Sequence, residues 1–229
     1  PKVVAAKPKP ETAAPKTEAA TLKAEPAKAG APECAGPDFN PRSSKRGLPR
    51  RACDTHAHIM GPKARYEYSP ARIYTPPDCL LNDYLHMLDP LGVERAVLVQ
   101  PSVYGTDNTA MLDAMKAANG RLGGVAVVDV GISETDLKAL HDAGVRGVRI
   151  NLASATPGLT LAQAPRLAAR LKALGWHIQF FMDLRKLPHA EEALCSLDIN
   201  IVIDHFGRVR AEDGVQAPAF QALLRLVKR

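Results

Sequence analysis

Two histidines one residue apart close the segment Cys53-Asp54-Thr55-His56-Ala57-His58. On a strand, residues i and i+2 project to the same side, so both imidazoles would face one cavity. Such a pair can hold a metal ion or polarise a substrate carbonyl. The plain alternative is two loop histidines with no task. A second segment, residues 201–208, reads Ile-Val-Ile-Asp-His-Phe-Gly-Arg. A buried strand ending in His205 could add a third imidazole. Strand alternation sends Asp204 and His205 to opposite faces, so only one of them is expected at the cavity. Gly207 would allow the chain to turn, and Arg208 could grip a carboxylate through two parallel N–H bonds. A surface arginine after a structural strand is the competing reading.

A third segment, residues 145–151, buries Arg149 among apolar strand residues. A guanidinium there must be paired or sit at a mouth. Anion binding is the favoured role and an internal salt bridge its rival, while Arg146, on the opposite face, is read as structural. Residues 65–76 form a long aperiodic loop with Tyr66, Tyr68, Tyr74, Arg65 and Arg72. Such loops are often lids. Tyr74 is a candidate to touch substrate, whereas Tyr66 and Tyr68 fit ring packing. Ser102 and Tyr104, with Asp107 and Asn108, follow the second apolar run and could reach the same mouth. His86, His141, His177 and His189 lie on polar helix faces, at a helix start or at a strand start, and receive no role.

These residues must be held by regular elements. Short Val- and Ile-rich runs at 52–56, 96–100, 124–130, 147–150, 177–181 and 201–205 fit strands buried on both faces, as in a parallel sheet. Helical patterns fall between them at 77–88, 107–118, 133–143, 161–174, 187–196 and 217–228. Ser133 and Asp136 are spaced as a cap, and Gly144 and Gly175 mark helix ends. Six β-α repeats define an α/β fold. An open doubly wound sheet and a (β/α)8 barrel both fit this pattern. The barrel has eight strands and about 250 residues, so on that reading the chain is a barrel cut to about six βα units.

Composition divides the 229 residues in two. Residues 1–50 hold 9 of 19 prolines, 11 alanines and one aromatic, Phe39, too little apolar surface to offset ordering entropy. That segment is expected to be a disordered Ala/Pro/Lys-rich tail, with the folded unit at 51–229. Residues 1–51 carry 11 Lys+Arg against 5 Asp+Glu, while the remainder carries 19 of each. The formal charge of +6 therefore belongs to the tail. A folded part without a basic face is not expected to bind nucleic acid, and no run is long enough to span a membrane. Cys34, Cys53, Cys79 and Cys195 form no CxxC pair. Reduced thiols suit a cytoplasmic protein, and a chain that starts at Pro1 leaves a periplasmic one open.

The ordered motifs CDTHAH, RYEYSPARIYTP, VLVQPSVYGTDN, GVRGVRINL, GWHIQFF and VIDHFGR resemble the amidohydrolase-related family, closest to hydrolases like 2-pyrone-4,6-dicarboxylate lactonase. The resemblance runs from about residue 51 to Arg229. It implies a TIM-type barrel whose site lies at the C-terminal ends of the strands. It implies that His56, His58 and His205 act on a lactone carbonyl, with Tyr74, Ser102, Tyr104, Arg149 and Arg208 around an acidic lactone. It further implies a general-base aspartate on an eighth strand, within Gly-Thr-Asp-Trp, which this sequence does not reach, so the chain as it stands is expected to be inactive. The fourth and fifth strands offer Arg149 and Gln179 where metal-binding members carry ligands. No tightly held metal is expected, and a single zinc or manganese, if bound, would sit on His56 and His58. Ala155 and Phe181 stand where the pyrone lactonases carry arginine and tyrosine, which points to a related lactone or a smaller ring acid. Two other readings are a metal-dependent decarboxylase or sugar-lactone isomerase on the same barrel, and a non-catalytic binding protein.

Overall fold

The computed structural model describes residues 30–153, 159–187 and 189–228. Residues 1–29 of the expected tail, and Ala155, lie outside them. Six strands pair in parallel in chain order: β1 (Cys53–Ala57), β2 (Arg95–Val99), β3 (Leu122–Ala126), β4 (Val145–Asn151), β5 (His177–Phe181) and β6 (Asn200–Ile203). Each is followed by a helix: α1 (Leu81–Leu91), α2 (Thr109–Ala117), α3 (Glu134–Asp142), α4 (Ala164–Ala173), α5 (Ala190–Cys195) and α6 (Pro218–Val227). The order has no reversal, which separates it from a doubly wound sheet. Right-handed crossovers that always step the same way put every helix on one face. The other face is left free for a site.

The sheet curls. Flat, six strands at about 4.8 Å spacing would hold their edges about 24 Å apart. Yet His56 of edge strand β1 lies 3.4 Å from Asp204, which follows edge strand β6. Side chains from the two edges meet only if the sheet bends round, as it does in a barrel wall.

The expected elements are all present, with shifted bounds. The third strand is expected at 124–130 but runs Leu122–Ala126. Asn108 ends it early: its side chain both accepts from the Val127 amide (3.0 Å) and donates to the Val127 carbonyl (2.8 Å), replacing ladder bonds. The first helix begins at Leu81 rather than residue 77, where the Asp83 carboxylate accepts from the Leu80 amide (2.8 Å). Ser133 caps α3 as its spacing predicts, accepting from the Asp136 amide at 3.0 Å. Gly144 (φ +98°) and Gly175 (φ +69°) follow the ends of α3 and α4, in a conformation that costs a glycine least.

The core lies between strands and helices. Leu98, Val145, Val148, Ile150, Ile178 and Phe180 from the sheet pack with Leu137, Leu167, Leu171 and Leu194 from the helices. A second, smaller core sits under the loop after β1. There Met60, Tyr66, Tyr68, Val103 and Tyr104 pack together. Residues 31–34 run beside this loop, where Thr75 exchanges backbone bonds with Pro32 (2.8 Å) and Cys34 (3.1 Å). Among the described residues no helix is long and apolar enough to cross a membrane.

Candidate functional site

Side chains from β1, β4, β5 and the turn after β6 converge on Asp204. This carboxylate is 4% exposed. Its Oδ2 accepts from Arg149 Nε and Nη2, both at 2.9 Å. Its Oδ1 accepts from Gln179 Nε2 at 2.7 Å and faces His56 Nδ1 at 3.4 Å. Burial alone would raise the Asp204 carboxyl, but the His56 hydrogen bond, the Arg149 charge and the Gln179 amide outweigh it and hold the group below its usual range. Of the two readings of Arg149, the structure contains the internal ion pair.

The placement of Asp204 departs from strand logic. The sequence reading put Asp204 and His205 on opposite faces, yet both reach the site. The strand ends at Ile203, and the chain enters a tight turn, residues 204–208, before alternation can separate them. His205 (φ 49°), Phe206 (φ 52°), Gly207 (φ 61°) and Arg208 (φ 56°) are all left-handed. Each non-glycine residue there costs roughly 1–2 kcal/mol, strain of the kind that persists at functional sites. Gly207 is the exception its sequence position suggests: a Cβ there would meet Leu184 at 2.5 Å.

Three imidazoles surround this hub. The His56 ring is 5.0 Å from His58 and 5.1 Å from His205, centroid to centroid. Asp54 fixes the end of β1, accepting from the His56 amide (3.1 Å) and from the Tyr84 hydroxyl (2.9 Å). The buried Nε2 of His56 has no hydrogen-bond partner. His58 Nδ1 is 2.7 Å from the Val99 carbonyl oxygen. A carbonyl only accepts, so Nδ1 carries the proton. Burial first, then the neighbouring His56 and Arg149 charges, lower the His58 pKa to about 4, against the pull of the Val99 bond. At neutral pH its Nε2 is therefore a bare acceptor. The His205 pKa is lowered too, chiefly by partial desolvation although the residue is largely exposed, with His56, Arg149 and Arg208 adding and Asp204 opposing.

This sets a pH dependence. The His58 pKa is depressed from 6.5 to about 4 on folding, so between those values the unfolded chain binds more protons and stability falls as pH falls. The window is worth roughly 3 kcal/mol. Urea midpoints should drop between pH 7.5 and pH 4.5, and less so in His58→Gln. An unchanged midpoint would show that His58 is not buried in its neutral form.

The other expected residues divide. Phe181 lies between His205 (5.3 Å between centroids), Arg149 (Cζ 4.9 Å from its centroid) and Arg208 (Cζ 5.7 Å). Tyr74 is half-buried and hydrogen-bonded to Ser102, and burial raises its pKa. Tyr104 is turned into the loop core, where its hydroxyl accepts from the Gly61 amide at 2.7 Å. Tyr66 donates to Asp113 (2.7 Å), and the Tyr68 ring lies tilted against Tyr104, 5.2 Å between centroids. The metal pair expected at His56 and His58 is not the set that the geometry groups. Donor atoms of His56, Asp204 and His205 lie within 4.8 Å of one another, while the Val99 bond turns one nitrogen of His58 away. Gln179 enters the sequence reading only as the residue standing where metal-binding members carry a ligand, although its polarity two residues before Phe181 on a buried strand was the available signal for a site role. A larger cavity, about 930 Å3, lies under β6 and α6 and contains none of these groups.

An amidohydrolase family profile matches residues 53–229. A 2-pyrone-4,6-dicarboxylate hydrolase of Comamonas testosteroni is 37% identical over 193 residues, 82% of this chain and 62% of that protein. A 4-sulfomuconolactone hydrolase of Rhizobium radiobacter is 37% identical over 202 residues, 86% and 66% respectively. A crystal structure of a probable 2-pyrone-4,6-dicarboxylic acid hydrolase from Acinetobacter baumannii, with citric acid bound, is 31% identical with a TM-score of 0.68. It covers 77% of this chain and 66% of its own. The chain thus spans a little under two thirds of the length of these relatives.

Proposed function

We propose, from the premise that this chain belongs to the amidohydrolase family, that the protein hydrolyses a lactone bearing an acidic group. The observation that carries this reading is the convergence of His56, His58 and His205 beside the Asp204 hub. Two relatives named for the hydrolysis of lactones, at 37% identity, support the reaction class.

Water adds to the ring carbonyl, negative charge builds on its oxygen, and collapse of that adduct breaks the ring C–O bond as the water's proton passes to the departing oxygen, leaving an acid and a hydroxyl. His56 and His205 stabilise that oxyanion. Asp204 holds the His56 ring through Nδ1 and leaves its Nε2 without a protein partner. His58 takes a different part from the one the sequence suggested. Its protonated nitrogen is committed to Val99, so Nε2 accepts a hydrogen bond and orients the water or the departing hydroxyl. Tyr74 and Ser102 border the substrate from the loops after β1 and β2. Arg149 holds Asp204 in place, and Arg208 is the cation beside the histidines left to meet the substrate's acid.

A divalent metal fits this donor set poorly. His56 Nε2 is free, but the Asp204 carboxylate is already satisfied by Arg149 and Gln179, and a fixed guanidinium stands 2.9 Å from it. A like charge so close opposes a dication. The test is hydrolysis of 2-pyrone-4,6-dicarboxylate and 4-sulfomuconolactone by the intact natural protein, with metal analysis. Turnover should survive excess chelator, with well under one equivalent of zinc or manganese bound. Stoichiometric metal, with activity lost on chelation, would instead favour a metal-dependent decarboxylase or lactone isomerase. No turnover of any acidic lactone would end the hydrolase reading.

A further inference from the structure

Beside His58, the N-terminal segment closes a cavity that the mechanism above leaves unused. Residues 31–36 lie along the loop after β1. The Cys34 amide donates to the Thr75 carbonyl at 3.1 Å, and Thr75 donates through its amide to Pro32 (2.8 Å) and through its hydroxyl to Ala31 (2.9 Å). Gly36 is pressed against Pro77, whose Cγ would stand 3.2 Å from an added Cβ. The space left between segment, loop and α1 is about 420 Å3, within the range of small-molecule pockets. Phe39, Met60, Pro77 and Met87 wall it, while His58 and Tyr74 belong to both the cavity and the site.

The chemistry of the lining selects its occupant. Among the described residues, no lysine or arginine borders the cavity. Its two carboxylates, Asp38 and Asp83, would repel an anion, and each is engaged by a backbone amide, that of Asn40 (2.8 Å) and of Leu80 (2.8 Å) respectively. The hydroxyls are committed as well: Tyr84 donates to Asp54 at 2.9 Å, and Tyr74 is hydrogen-bonded to Ser102. An acid or a strongly polar group entering here would lose its water and gain no partner. Uncharged hydrocarbon would instead bury against Phe39, Met60 and Met87, and methionine adapts its shape to what it meets. The cations of the site lie elsewhere: Arg149 is tied to Asp204, and Arg208 lies over Phe181. The site is thus polarised, cationic beside Phe181 and apolar beside His58.

We propose that this cavity is an apolar specificity pocket, with residues 34–39 as its outer wall, which receives an uncharged alkyl or aryl substituent of the substrate. The substrate is then a lactone acid that carries its charge on the Arg208 side and a hydrocarbon group on the His58 side. The ring and its acid rest on the lactone reading above; the pocket and the class of group it takes do not.

Titration of the 229-residue chain with γ-butyrolactone, γ-valerolactone, γ-hexalactone and γ-octalactone, followed by NMR, measures the pocket without any need for turnover. Affinity should rise about fourfold for each carbon added, the effect of burying one methylene, until the cavity is full. Two substitutions locate the effect. Ala35→Trp, at an exposed position of the lining, should fill the space and flatten the series while γ-butyrolactone binds as before. Phe39→Ala, at a position 49% exposed, should weaken γ-octalactone about tenfold and leave γ-butyrolactone unchanged. Unchanged γ-butyrolactone binding also reports that each variant keeps its fold. A flat series in the unaltered chain overturns the pocket. So does a rise that survives both substitutions, as it would if the alkyl groups bound the exposed Leu224 and Val227 of α6. A rise removed as expected, in an intact protein that hydrolyses no lactone, leaves the pocket standing and removes the lactonase reading. Hydrolysis of acidic lactones with a flat series removes the pocket alone.

Discussion

Replacing Asp204 with asparagine should destabilise the fold by about 3–5 kcal/mol, the cost of breaking one partner out of a buried ion pair. The residue is the acceptor for Arg149, Gln179 and His56 together. Asparagine keeps the shape and removes the charge, leaving the Arg149 guanidinium, 5% exposed, without its counter-ion. Urea unfolding at pH 7.5 measures the loss. Because folding depresses the Asp204 carboxyl, its contribution is present above the unfolded carboxylate pKa and fades as pH falls through the lower folded value. The difference between the two proteins should thus shrink in strong acid. The double change Arg149→Met with Asp204→Leu replaces the pair with apolar groups and should recover most of the stability. It should not recover activity, since His56 would have lost its partner. A single Asp204→Asn variant as stable as the parent would show that the pair does not hold the site together.

His205→Ala should lower turnover of the lactone about 10²–10³-fold, the usual effect of removing one oxyanion donor. The KM should change little, because the acidic group is held elsewhere. His205 is exposed and its ring touches only His56 and Phe181 among rings of the described residues. Its removal therefore leaves no buried charge unpaired, and stability should stay within about 0.5 kcal/mol of the parent, as for most surface changes. Loss of turnover with an intact urea midpoint separates a chemical role from a structural one. Full turnover without His205 would remove it from the mechanism, and a large fall in binding with unchanged turnover would make it a substrate anchor.

The two substitutions examine neighbouring residues with opposite profiles. Asp204 is buried and is expected to carry structure and chemistry together; His205 is exposed and is proposed to carry chemistry alone. Their adjacency explains why the sequence could not separate their roles. Strand parity is a correct rule applied one residue too far, because the strand ends at Ile203.

Much was legible before any coordinates. The sixfold alternation of apolar runs and amphipathic helices determines the α/β class, since parallel strands need crossovers. The spacing of His56 and His58 places them together, because i and i+2 share a face whatever surrounds them. The isolation of Arg149 on an apolar strand required either a partner or a place at a mouth, because an unpaired buried charge is too costly. These are local rules, satisfied within a few residues of chain. The tertiary structure decided what distance in sequence hides. The curl of the sheet joined His56 to Asp204 across 148 positions of chain, and so chose the ion pair over a free anion site for Arg149. The left-handed turn at 205–208 put two neighbours on one side and gathered Arg208 and Arg210 with Arg185 and Lys186. Neither follows from periodicity: curvature sums small twists over every strand, and a left-handed turn of non-glycine residues forms only where surrounding contacts outweigh its local cost.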